Sequence, residues 1–238
     1  MFAPPILDNP GFINARPGVV LGVWLTLLTL SGAALITALI GLASRALQQH
    51  IGEIDSARII GPIAEYVAGW IALAALGIIA FRLIAAIGEL NTERTALISR
   101  WNLIAPAARQ GTSDQNQVMI FDSPEAILLS IPQANVIVVS SQLVDTMDPQ
   151  LLAAAVAHEQ AHLDGRHGLI RLIGVLALAI APVFTASTRM AQATRIATEL
   201  IADDAAATTY GRTTVADALE QAFPVSSLIE ERVSRLRS

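Results

Sequence analysis

The sequence predicts a mostly α-helical membrane protein carrying a small β-sheet, and three observations lead to that fold class. Of its 238 residues, 53% are hydrophobic and only 15% charged, against about 25% charged in an ordinary soluble domain. Two long apolar runs occupy the N-terminal part of the chain. Two short β-branched runs, Val118-Met119-Ile120-Phe121 and Val136-Ile137-Val138-Val139, stand near its middle. There is no cysteine, which excludes disulfides, thiolate metal sites and a cysteine nucleophile. All 15 basic residues are arginine and the net charge is −5. With no basic run, a nucleic-acid partner is not expected.

Taken in order, residues 1–17 form a Pro- and Asn-containing tail without the pattern of a cleavable signal. Residues 18–44 hold no charge and exceed the ~20 residues that cross a bilayer. Residues 45–65 are polar and broken by Gly61-Pro62, which suits an extracytoplasmic loop. Residues 66–88 make a second transmembrane helix, interrupted only by Arg82, which lies near one end and can snorkel to the headgroups. Arg16 on one side, with Arg94, Arg100 and Arg109 after the second helix, puts the N-terminus and residues 89–238 in the cytoplasm. The two β-branched runs, bounded by Asp, Ser, Pro and Asn, read as strands. Asp148-Pro149 is an N-cap followed by proline at the first helical position. The helix it opens is apolar almost all round from Leu151 to Ala157, as a buried helix is, and Gly165 is a plausible stop. In the C-terminal tail, Val215, Leu219 and Phe223 are spaced to pack on the domain or on a partner.

Inside the buried helix lies His158-Glu159-Gln160-Ala161-His162. Histidines four apart on a helix stand about 5–6 Å from each other on one face. Zn–N bonds of about 2.0–2.1 Å let both imidazoles close on a single ion. Glu159 is offset by about 100° and so points beside the metal, where it can act as a base toward the attacking water. Only four histidines exist in the chain, and burying two without a partner would cost free energy. The expected cofactor is therefore Zn2+ and the expected activity metalloendopeptidase, on a zincin-like core carried by the two-helix anchor.

A catalytic zinc needs a third protein ligand and an open position. His167 and Glu199 compete for that place. Glu199 shares a helix face with Asp203, so one carboxylate can bind the metal while the other orients a ligand imidazole; it is the preferred third ligand. Arg195 extends the same stripe. Asp203, His167, Arg195 and Arg166 are then expected around the ligands or the substrate oxyanion. The choice constrains the topology. Were the apolar run 168–181 to cross the bilayer, Glu199 would lie on the opposite side from His158 and His162. That run is also short for a span and ends at Pro182, so residues 168–186 are expected to form an apolar re-entrant or interfacial hairpin. The strand Asn135, Val136, Ile137, Val138, Val139, Ser140, just ahead of the zinc helix, is a candidate edge for a substrate peptide to pair with.

The stretch 122–204 resembles the BlaR/MecR-type family of integral-membrane zinc metallopeptidases. The likeness rests on Ser123-Pro124-Glu125, on Asn135 to Ser140, on Leu151 through His167 with its H-E-x-x-H, on the apolar hairpin, and on Glu199-x-x-Ala202-Asp203. The closing Glu231-Arg232-Val233-Ser234-Arg235-Leu236 is also similar to the end of this domain in relatives. The HtpX and CAAX-protease family shares the main features and stands close behind. The resemblance implies a gluzincin-like site with His158, His162 and Glu199 as ligands and Glu159 as general base. It also implies a multi-pass protein of a bacterial plasma membrane, cleaving protein substrates at the cytoplasmic face. Members with a known role cleave a repressor, or themselves, when a sensor is occupied. No penicillin-binding sensor is visible here, which puts β-lactam sensing in doubt, and the candidate partners include a sensor or regulatory membrane protein.

Overall fold

In the computed structural model the described residues are 10–48, 60–111, 117–182 and 185–238. A short helix α1 (Pro10–Ala15) leads into α2 (Pro17–Gln48), and α3 runs from Ile60 to Ile104. Both long helices are apolar enough to cross a membrane, and most of each apolar window is exposed. Phe81 is 73% and Ile84 71% exposed, as on a surface that meets a membrane or a partner. The tail residues 1–9 and the greater part of the loop, 49–59, lie outside the described residues. The second apolar helix does not stop at residue 88. At 45 residues it is about 68 Å long, more than twice the ~30 Å hydrocarbon core. No proline or glycine interrupts 89–104, so its polar final turns extend the helix as a stalk toward the domain.

After a single 3-10 turn (Ala105–Ala107) come four strands: β1 (Arg109–Gln110), β2 (Gln117–Phe121), β3 (Leu128–Ile131) and β4 (Val136–Ser140). They form one mixed sheet in the order β1-β2-β4-β3. β4 pairs parallel with β2 and antiparallel with β3. All five β4 residues are buried, which explains its unbroken apolar run. Ile137 and Val139 join the main core. Val136 and Val138 face the other way, with Ile131, under Trp101 of the α3 stalk.

The rest is helical: α4 (Ser141–Thr146), α5 (Pro149–Asp164), α6 (His167–Ile180), α7 (Thr185–Tyr210), α8 (Arg212–Ala222) and α9 (Ser227–Arg237). Asp148 caps α5 by accepting from the Gln150 N–H, with Pro149 at the first position and Gly165 as C-cap. As the sequence suggests, α6 ends just before Pro182 and the chain returns in α7. At 14 residues α6 is too short for a crossing. The two helices lie close because Gly174 has no side chain: a Cβ there would come within 2.5 Å of Thr194 Oγ1. The hairpin docks on the first half of α2, where Val20 and Trp24 meet Ala177, Met190 and Ala193. Arg82 does not simply reach outward. Its guanidinium turns to the Ala179 carbonyl, 3.5 Å away, near the C-terminal end of α6, where helix carbonyls lack partners. α8 and α9 close the main core from below, with Val215, Leu219 and Leu236 almost fully buried.

Candidate active site

α5 is buried between the sheet, α7 and α8, and it presents His158 and His162 one turn apart. Their Nε2 atoms are 3.1 Å from each other. From α7, the Glu199 carboxylate comes within 3.5 Å of His158 Nε2 and 3.7 Å of His162 Nε2. Two imidazoles and a carboxylate are a zinc donor set. Ligands on a tetrahedral zinc at about 2.0–2.1 Å are about 3.3 Å from one another, and this cluster already has that size. Among the described residues it is the one group of His, Asp and Glu able to hold a metal ion. The residues present therefore fit zinc.

The atoms behind the cluster hold it in place. His158 Nδ1 lies 3.0 Å from Asp203 Oδ1. Asp203, fully buried, receives two bonds from Arg232: Nε to Oδ2 at 2.8 Å and Nη2 to Oδ1 at 2.6 Å. Arg232 Nη1 also pairs with Glu199 Oε2 at 2.8 Å. Arg171 of α6 bonds the other Glu199 oxygen and, through Nε, Thr198 Oγ1. His162 Nδ1 meets His167 Nδ1 at 2.7 Å.

These contacts set the charges. Burial opposes ionisation of Glu199, but hydrogen bonds from His158 and His162 and the charge of Arg232 hold its carboxyl far below the usual range. Burial likewise opposes charge on His158, yet Asp203 and Glu199 raise its pKa above the ordinary value. Burial, together with the charges of His162 and Arg171, pushes His167 down to about 4.

Glu159 sits next to the ligands, and its Oε2 accepts the Ser130 backbone N–H of β3 at 2.9 Å. A cavity of about 460 Å³ opens over the cluster, lined among others by Leu129, Pro132, Arg171, Arg195, Phe223 and Leu228.

Most of the residues singled out in the sequence converge here: His158, His162 and Glu199 face one point, Glu159 lies beside them, Asp203 and His167 stand behind the two histidines, and Arg195 lines the cavity. Two expectations are corrected. The candidate substrate strand Asn135 to Ser140 cannot accept a peptide, because β4 is paired on both sides and Asn135 belongs to the turn before it, with φ 53°. The free edge next to Glu159 is β3. Arg166 does not reach the site: it is exposed, in a left-handed backbone conformation at the start of α6, and does not line the cavity. His167 stands behind His162, on the ring nitrogen away from the cluster, and so outside the set of atoms that face one ion.

Arg232, Arg171 and Ser130 were not foreseen. For Arg232 a signal existed. In α9 the buried positions are Ile229, Arg232, Val233 and Leu236, so an arginine occupies the apolar stripe of an amphipathic helix, a position that demands a buried anion.

A His-Glu-x-x-His helix, a carboxylate supplied by the following long helix and a sheet edge beside them define a metallopeptidase core. The profile of peptidase family M48 matches residues 92–235; the chain belongs to that family. The narrower BlaR/MecR-type resemblance is not what this match carries. No curated protein and no solved structure matches the chain.

Proposed function

We propose that this M48 peptidase is a membrane-bound zinc endopeptidase that cleaves protein substrates at the cytoplasmic face. In this reading His158, His162 and Glu199 hold the ion and Glu159 is the general base. The observation that carries the proposal is the near-tetrahedral spacing of three donors with Glu159 and a free strand edge beside them. Zinc, when bound, supplies Lewis-acid polarisation of the scissile carbonyl and acidifies the attacking water.

The chain's own groups do the rest. Glu159 takes the water's proton on a carboxylate oxygen and returns it to the nitrogen of the leaving amine. The Ser130 N–H fixes that carboxylate through one oxygen. Because the Ser130 N–H turns away from β4, alternation along the antiparallel ladder turns the Leu128 backbone groups outward as well. A substrate in extended conformation can pair with them, which places its peptide carbonyl over the cluster. Arg232 favours the ionised form of Glu199, and Arg171 holds the other carboxylate oxygen.

The membrane location rests on α2, α3 and the docked α6–α7 hairpin, and the orientation on the arginine distribution. Metal content and cleavage of casein or of the chain itself, compared between wild type and Glu159→Gln, test the proposal. Stoichiometric zinc in both, with turnover reduced about 10²–10⁴-fold in the variant, is the expected result. Zinc without turnover in the wild type would instead indicate a membrane regulatory or assembly subunit with a structural metal.

A further inference from the structure

The bond between His162 and His167 joins two Nδ1 atoms at 2.7 Å. One must donate and the other accept, so at most one carries a proton. If His162 gives Nε2 to the metal, its proton resides on Nδ1, and His167 must then present a bare Nδ1 and carry its own proton on Nε2. The two ligand histidines are therefore held differently. His158 has a carboxylate behind it, Asp203, whereas His162 has a neutral imidazole.

The backbone between them is shaped for this pairing. Gly165 closes α5, and a Cβ at that position would lie 2.4 Å from His167 Nε2 and 2.7 Å from its Cδ2. Arg166 takes up a left-handed conformation, φ 48°, which is uncommon for a residue with a side chain and turns the chain so that the His167 ring folds back under His162. The ring is 3% exposed and is not one of the three groups that face the ion.

We propose that His167 is the positioning residue of His162, fixing the ring orientation and tautomer of that ligand, and that Gly165 is glycine to admit the His167 ring. The inference rests on the zinc reading given above. Zinc affinity by chelator competition, on the full chain in detergent, provides the test. His167→Ala should weaken zinc about 10–100-fold. His167→Asn, whose Oδ1 can take the place of Nδ1 as acceptor, should recover most of that loss. Gly165→Ala, which must push the ring aside, should weaken zinc like His167→Ala, and the double variant should be no weaker than His167→Ala alone. Helix content by circular dichroism of the metal-free proteins separates these effects from unfolding. Wild-type affinity in His167→Ala, failure of His167→Asn to recover, or additive losses in the double variant would each overturn the inference. A wild-type chain that binds no zinc would instead overturn the metalloenzyme reading itself.

Discussion

Arg232 joins the two carboxylates of the site: it neutralises fully buried Asp203 through two bonds and holds one oxygen of Glu199. Removing one partner of such a group leaves an uncompensated buried charge, which costs about 3–5 kcal/mol. Arg232→Met is therefore expected to lower unfolding stability by roughly 3 kcal/mol, measured by denaturant unfolding of the metal-free protein. Zinc binding should weaken too, because Asp203 and Glu199 lose the cation that orients them. Arg171 is more exposed, at 39% of its side chain, so solvent screens its pair with Glu199. Arg171→Met should cost less than 1 kcal/mol in the same measurement. A larger loss for Arg171 than for Arg232 would reverse this ranking of the two guanidiniums.

At the scale of elements, the proposed function rests on two features. β3 is short and lies at the sheet edge, where its outward backbone groups are available beside Glu159. Ser130→Pro removes the N–H that Glu159 uses while leaving the β4 ladder intact, since a proline is tolerated where the N–H faces away from the sheet. Turnover should fall at least about tenfold with zinc retained. Unchanged turnover would separate β3 from the chemistry. The α6–α7 hairpin is the second feature, because it returns the chain so that Glu199 of α7 lies beside His158 of α5. Gly174→Leu would force Thr194 and Ala191 away, at a cost of ~1–3 kcal/mol. Its effect should appear as weaker zinc binding, since α7 carries Glu199 while α5 carries the histidines.

For the whole molecule, α2 and α3 are long and apolar enough to cross a bilayer, and the proposed membrane reading puts the cluster on the cytoplasmic side of both. Cysteines introduced as Asp55→Cys and Glu125→Cys should label from opposite sides of sealed vesicles, with position 125 on the cytoplasmic side. Labelling of both from one side would contradict the two-crossing topology. Zinc should also stabilise the fold as a ligand that binds only the native state, by about 2.7 kcal/mol when its free concentration is 100 times its Kd. Chelation should lower the melting temperature accordingly, and Glu199→Ala should remove most of that response.

Local rules made a good part of this protein legible. Asp148-Pro149 and Gly165 bound α5, the four-residue spacing of His158 and His162 puts them on one helix face, and the charge-free run 18–44 marks a helix long enough to cross a bilayer. Each depends only on neighbours a few residues away. The end of α6 just before Pro182 was legible too, because proline breaks a helix. What the tertiary structure decided were the pairings between distant segments. Two β-branched runs look alike in sequence, yet pairing on both sides makes β4 interior and leaves β3, with its less telling Leu128–Ile131, as the open edge. Arg232 approaches Asp203 only because α9 packs its apolar stripe against the core. His167 and Glu199 are alternative third ligands in the sequence; α7, packed back on α6, brings the Glu199 carboxylate to His158 and His162 and leaves the His167 imidazole behind His162.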